Sequence, residues 1–172
     1  MRSQTLTMLL FLLVSAALAA ETKAPRVINF KEPPHSYLEW KPKDRFAELQ
    51  EKARKGELKL DTTNDKAFLT SLLEALNIPV SSQILVFSAS SLQSEIINPR
   101  NPRALYFNED TYVGWVPVGL IEIIAADPEY GPMFYVFDRL RPGGPVPKVQ
   151  RSVKSMNCHA GNATRLLPGL IA

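Results

Sequence analysis

Apolar side chains recur at helical spacing in two stretches of the first half of the chain, which predicts two amphipathic helices. The first is expected over 45–55, because Asp44 can cap its start and Gly56 can end it. The second is expected over 65–76, where a leucine-rich stripe recurs among polar residues and Asn77 closes the run. Both stripes are core-facing packing surfaces, and neither carries a pattern that would bind a cofactor.

From residue 84 onwards the apolar residues form short runs separated by turn residues, a pattern that predicts β-strands. The run 84–87 is continuously apolar and is interpreted as a buried strand. Further strands are expected over 104–107, 111–116, 120–126 and 133–138, and 146–153 can add one more. Because connections this short cannot carry the crossovers of a parallel sheet, the strands should form an antiparallel meander packed on the two helices. The predicted class is α+β.

The predicted order along the chain is a signal peptide over 1–20, an extended segment over 21–43, an α+β domain over 44–154 and a C-terminal motif segment over 155–172. A basic start, a short apolar run and Ala17-Leu18-Ala19 carry the signal-peptide prediction. Prolines keep 21–43 from forming a continuous helix. No later segment approaches the roughly 20 apolar residues needed to cross a bilayer. We therefore expect a periplasmic or otherwise exported protein with no stable membrane insertion after cleavage.

Composition and charge narrow the classes of function. The net charge is +3 and the basic residues are dispersed among acidic ones, so no nucleic acid partner is expected. Cys158 is the only cysteine, and a lone thiol in an exported protein is expected to be buried, paired or used. The sequence has no nucleophile elbow, phosphate loop or zinc-type cluster. A Cys158 nucleophile activated by His159 is disfavoured, because adjacent side chains on an extended segment point apart. A hydrolase or transferase is therefore not favoured.

The stretch with the clearest chemical pattern is Ser155-Met156-Asn157-Cys158-His159. A c-type haem attachment site reads Cys-x-x-Cys-His, in which two thioethers hold the porphyrin and the histidine ligates the iron. Here the second cysteine and the histidine are present, and Ser155 occupies the position of the first cysteine. Taken alone, the stretch is either a chance Cys-His dipeptide or a degraded haem c site. In the second case Cys158 is a single thioether attachment and His159 is the iron ligand.

Three blocks of the sequence also carry a resemblance to a known family. The blocks cover 78–88 with 91–93, then 98–114, then 123–127 with 131–138. The second, Asn-Pro-Arg-Asn-Pro-Arg-Ala-Leu-Tyr-Phe-Asn-Glu-Asp-Thr-Tyr-Val-Gly, is the most specific. Together they resemble exported bacterial c-type cytochrome proteins of planctomycete-like genomes. In that family a Cys-x-x-Cys-His motif and a tail with Thr and Pro-Gly follow the third block, and Cys158-His159, Thr164 and Pro168-Gly169 stand in that order here.

The resemblance implies haem c attached at Cys158, iron ligation by His159 and an electron-transfer role with a redox partner protein of unknown identity. The chain departs from the family at two points. Ser155 replaces the first cysteine, and family members continue well beyond the Pro-Gly, so the chain looks truncated relative to them. The sixth iron ligand is left open between Met133, His35 and the region that the longer relatives have.

Arg103 is a candidate partner for a bound haem. Haem propionates favour charge-assisted partners, and Arg103 is the arginine best placed for that role, because it stands between a proline-rich turn and a strand. The alternative to a haem protein is a haem-free periplasmic α+β binding module that has lost its cofactor. The two interpretations differ on whether Ser155 still permits haem attachment.

Overall fold

The computed structural model describes residues 29–33, 35–87 and 91–160. The predicted signal peptide over 1–20 and the tail from residue 161 onwards lie outside the described residues. The helices are α1 (Arg45–Arg54), α2 (Asp65–Ala75) and α3 (Val153–His159), with 3-10 turns at Tyr37–Glu39 and Val80–Ser82. The strands are β1 (Ile84–Val86), β2 (Arg103–Phe107), β3 (Thr111–Trp115), β4 (Ile121–Asp127), β5 (Gly131–Phe137) and β6 (Val149–Arg151). Within this described part, no helix has the length and apolarity needed to cross a membrane.

The six strands form one antiparallel sheet in the order β1-β2-β3-β4-β5-β6, so each strand pairs with its neighbour in sequence. Short turns connect β2, β3, β4 and β5 and exclude parallel crossovers there, whereas residues 87–102 and 138–148 form longer connections at the two ends of the sheet. The α+β class predicted from the sequence is confirmed, as is the packing of the two N-terminal helices on an antiparallel sheet.

Alternation of side chains along the strands gives the sheet two unlike faces. The inner face packs on α1 and α2, and its buried members include Ala104, Tyr106, Val113, Ile121, Ile123, Ala125, Met133, Tyr135 and Phe137. The opposite side of the sheet, which we call the outer face, is also largely apolar. Its members include Ile84, Leu105, Phe107, Tyr112, Ile124, Phe134 and Val136.

The core on the inner face is built around aromatic contacts between the helices and β5. Phe46 of α1 and Phe68 of α2 both meet Phe137 edge to face, with ring centroids 5.6 and 5.3 Å apart. Such pairs contribute about 0.5–1.5 kcal/mol beyond the area that they bury. The leucine-rich stripe of α2 is buried in the same cluster, so the helical stripes are packing surfaces, as the sequence predicts.

The helix bounds agree with the sequence prediction to within one residue at each end. Asp44 caps α1 by accepting the N–H groups of Phe46 and Ala47. Asn64 caps α2 in the same way, by accepting the N–H of Ala67. Side-chain caps of this kind satisfy backbone donors that the first helical turn leaves without partners.

The sequence predicts a buried strand over 84–87, and the burial part of that prediction is wrong. The strand forms as β1, but Ile84 and Leu85 are about half exposed. The reason is strand order: β1 is the edge of the sheet and pairs with β2 on one side only within the described residues. A continuous apolar run predicts a strand but cannot tell a central strand from an edge strand.

The segment before α1 is bound to the far edge of the sheet. Tyr37 is fully buried, and its hydroxyl accepts the N–H of Phe134 at 2.9 Å. Arg151 of β6 donates to the carbonyl oxygen of Tyr37 at 2.8 Å. Burial raises the pKa of Tyr37, so its hydroxyl stays neutral. Part of the segment predicted to be extended and irregular is therefore a 3-10 turn that covers β6.

Two buried carboxylates join the start of α1 to the sheet. Asp44 accepts the hydroxyl of Tyr135 in addition to its capping bonds. Burial raises the pKa of Asp44, while the hydrogen bond from Tyr135 acts in the opposite direction. Asp127, at the end of β4, accepts the N–H of Lys43 and two N–H groups of the turn that follows it. The chain entering α1 is thus held at two adjacent points.

We expect Asp127→Asn to lower the free energy of unfolding by about 1–3 kcal/mol at neutral pH, because an amide cannot accept all the N–H groups that the carboxylate accepts. Burial by itself raises the pKa of Asp127, but the backbone N–H groups and the charge of Lys43 outweigh it and lower the pKa below its ordinary value. The folded-state pKa is therefore below the unfolded one. The carboxylate's contribution is complete above a pH of about 4 and is lost as the pH falls through the folded-state pKa.

Urea unfolding at pH 7 and pH 3 would measure this effect. The difference between wild type and Asp127→Asn should be largest at pH 7 and shrink at pH 3. Asp138→Asn, at an exposed carboxylate, is the matched control and should change stability little. A difference that grows on acidification would contradict the role given to Asp127.

Candidate functional site

The haem-motif stretch forms most of helix α3. Ser152 caps the helix by accepting the N–H of Ser155 at 3.2 Å, and the Ser155 hydroxyl donates to the Ser152 hydroxyl at 2.8 Å. Met156 and Ala160 are buried and anchor the helix against the body of the protein. A helix of 7 residues is too short to be stable alone, so the cap and these apolar anchors hold it in place.

The helical conformation places three motif positions on one flank of α3. Ser155, Cys158 and His159 stand at i, i+3 and i+4, which are neighbouring positions on a helix surface. Cys158 is exposed, whereas Ser155 and His159 are half-buried. The expectation of an extended segment here is wrong, because tertiary contacts stabilise the helix. Successive residues of a helix still point about 100° apart, so Cys158 and His159 do not face each other.

His159 lies against the sheet. Its ring stacks on that of Phe134 in β5, with centroids 4.7 Å apart and planes inclined by 24°. Phe134 is buried and belongs to the outer face. The stack covers one face of the imidazole and restricts its rotation, while the ring nitrogens lie in the ring plane. Helix α3 therefore borders the outer face of the sheet and presents its histidine there.

Phe134 ends a row of apolar side chains that crosses the outer face. The strand register aligns Phe107 with Tyr112, Tyr112 with Ile124, and Ile124 with Phe134. The rings of Phe107 and Tyr112 stack with centroids 5.8 Å apart. We call these four residues the aromatic row. With His159 at one end, the row forms an apolar strip across four strands.

Arg103 lies on the same outer face, on β2. Its guanidinium pairs with Glu122 of β4 at 3.3 Å, and both side chains are mostly buried. Glu122 also accepts the amide of Gln93 at 3.0 Å. The arginine crosses β3 above Gly114, where an added Cβ would come within 3.2 Å of Leu105 and 3.7 Å of Arg103 itself. The Arg103 Nε is buried with no hydrogen-bond partner among the described residues.

The structure does not bring Arg103 and His159 together. Arg103 is on β2 and the partner of His159 is on β5, so three strand spacings, about 14 Å, separate them across the sheet. The charge of Arg103 is already matched by Glu122. The role of Arg103 as a partner of a haem propionate stays a prediction.

Met133 and His35 are the other candidate iron ligands. Met133 is fully buried on the inner face, so the sheet separates it from His159. His35 is half-buried in the N-terminal segment, with its ring 5.2 Å from that of Phe30. Among the described residues, no group of three or more His, Cys, Asp and Glu is placed to hold a metal ion. Haem iron is held by axial ligands rather than by such a cluster, so that finding concerns other metals.

Sequence reasoning missed the aromatic row. The signal was present in β2, where Leu105 and Phe107 are apolar although they alternate with the core residues Ala104 and Tyr106. A half-exposed antiparallel strand ordinarily alternates apolar with polar residues. Apolar residues on both sides of a meander strand therefore indicate that the second face also contacts something.

Comparisons of the chain with known protein families, with curated proteins and with solved structures find no match. The family resemblance drawn from the three sequence blocks accordingly stays a prediction.

In protein prepared without haem, we expect the Cys158 thiol to react with a disulfide reagent such as DTNB at a rate within about tenfold of that in the urea-unfolded chain, because it is exposed. The absorbance of the released thiolate measures the reaction. Cys158→Ser removes the only thiol and serves as the blank. Protection by several orders of magnitude would contradict the placement of Cys158 at an exposed position of α3.

Proposed function

We propose that this protein is an exported haem c-binding protein with an electron-transfer role, in which Cys158 forms the one thioether bond and His159 ligates the iron. The proposal is based on where the residues of the motif lie on the surface of helix α3. Ser155, Cys158 and His159 occupy neighbouring positions of α3, and His159 stacks on Phe134 of the apolar outer face. A c-type haem motif needs its attachment and ligand positions side by side in this way.

The residues of the site fit a haem group in their chemistry. Phe134 packs against the flat side of His159, which leaves ligation through an in-plane nitrogen compatible with the stack and limits the ring's orientation. The exposed thiol of Cys158 is accessible for thioether formation. The aromatic row offers apolar surface of the kind that a porphyrin ring buries. Haem, when bound, supplies one-electron redox chemistry.

Ser155 explains why attachment would be single. A serine hydroxyl cannot form a thioether, and here it is engaged with Ser152 at the start of the helix. The hydroxyl therefore supports the helix that carries Cys158 and His159. Position 155 is nevertheless on the correct flank for a second attachment.

A second candidate is a haem-free binding module whose outer face contacts another molecule. The observation in its favour is that the apolar outer face is present whether or not a haem is attached. Tyr112 in the aromatic row is 36% exposed, and Ile84 on the same face is 48% exposed. Large apolar side chains grouped on one surface mark a contact region. Haem content separates this candidate from the first.

The test is expression with export and cytochrome c maturation, followed by visible spectra with and without dithionite and by pyridine extraction under denaturing conditions. We expect a Soret band that shifts on reduction and haem that stays with the denatured wild-type protein. His159→Ala should lower haem per protein at least about tenfold, because the iron loses its ligand. Asn157→Ala, at an exposed position of the same helix, is the matched control and should retain haem. A featureless wild-type spectrum would favour the haem-free module.

Two further variants refine the test. Ser155→Cys should raise the fraction of protein with covalent haem, because it restores a second thiol on the same flank of α3.

Replacing Arg103 and Glu122 together by leucine removes the buried ion pair without leaving one charge unpaired. Unchanged haem content and reduction potential in that double variant would end the assignment of Arg103 to a haem propionate.

A further inference from the structure

The edge strand β1 is apolar and exposed on both of its faces. Ile84 is 48%, Leu85 51% and the adjoining Phe87 54% exposed. Ile84 points to the outer face beside Leu105, and Leu85 points to the opposite face beside Ala104. The run 84–87 contains no charged residue and no proline.

The two edges of the sheet differ in how they are covered. At the β6 edge, Arg151 donates to the carbonyl oxygens of Tyr37 and Leu38, and Tyr37 bonds to the backbone of Phe134. The N-terminal segment therefore caps that edge. At the β1 edge, β2 is the only strand paired with β1 within the described residues. Natural proteins ordinarily protect an edge with charge, proline or a covering segment, because free backbone N–H and C=O groups recruit another strand.

We propose that β1 pairs in antiparallel fashion with β1 of a second copy of this chain, across a two-fold axis at Leu85. Such pairing joins two six-stranded sheets into one continuous sheet. It places Leu85 opposite Leu85 of the other copy, and Ile84 opposite Val86. Opposed residues in an antiparallel pair share a face, so apolar meets apolar on both sides of the new sheet.

A second copy suits this edge better than a different protein does. A two-fold pairing is self-complementary, so one surface supplies both partners. The uncharged, two-sided apolar character of 84–87 is what an identical strand would match. The outer faces of the two copies also become continuous through Ile84 and Val86. The contact is small by the standard of permanent dimers, so the association is expected to depend on concentration.

The register gives a charge-swap test by sedimentation equilibrium, run in reductant so that Cys158 cannot link two copies. Wild type should shift from monomer to dimer as concentration rises through the micromolar range. Leu85→Lys and Leu85→Glu should each weaken the dimer at least about tenfold, because like charges would face each other across the axis. An equimolar mixture of the two variants should recover dimer, because opposite charges then meet.

Leu38→Lys and Leu38→Glu are the matched controls, since Leu38 is 46% exposed at the covered edge, and they should dimerise as wild type does. Near-UV circular dichroism confirms that each variant is folded. A wild type that stays monomeric, a Leu85→Lys variant that dimerises normally, or a mixture that stays monomeric would each overturn the proposal. Helix α3 takes no part in this contact, so the outcome is independent of haem attachment.

Discussion

Two short helices cover one face of a six-stranded sheet. The opposite, outer face is left to the candidate site and to the exposed edge strand. Helices α1 and α2 bury the inner face around Phe46, Phe68 and Phe137. The outer face is covered by α3 at Phe134 and is met by Gln93 at Glu122. Between these points its side chains remain largely apolar. The candidate haem site and the exposed β1 edge both belong to this second surface.

Helix α3 connects the motif to that surface. Its stability comes from the Ser152 cap and from the burial of Met156 and Ala160 rather than from its length. Once the helix is formed, its period puts Ser155, Cys158 and His159 at neighbouring positions. The stack on Phe134 brings His159 against the outer face. The serine at position 155 takes part in the same cap through its hydroxyl. The serine at the first cysteine position of the predicted haem motif thus supports the helix on which Cys158 and His159 lie.

The predictable parts of the fold are those with a strong local signal. The apolar stripes of α1 and α2 predict these two helices. The turn residues between the strands predict the meander, and together they predict the α+β class. The burial of β1 was predicted wrongly, because exposure at 84–87 depends on which strand lies at the edge. The helicity of the motif stretch was missed for a related reason: contacts from residues distant in sequence hold it.

By itself, the sequence determined the spacing of apolar residues along each helix and strand and the residues that cap the helices. It also determined the two side chains of the predicted site, Cys158 and His159. Only the tertiary structure decided which surface those groups meet. Alternation along a strand assigns residues to two faces but does not say which face the helices will cover. Strand pairing brought Phe107, Tyr112, Ile124 and Phe134 into one row, although they are spread over four strands. Such a row exists only through register, because register is a relation between strands that no single segment contains.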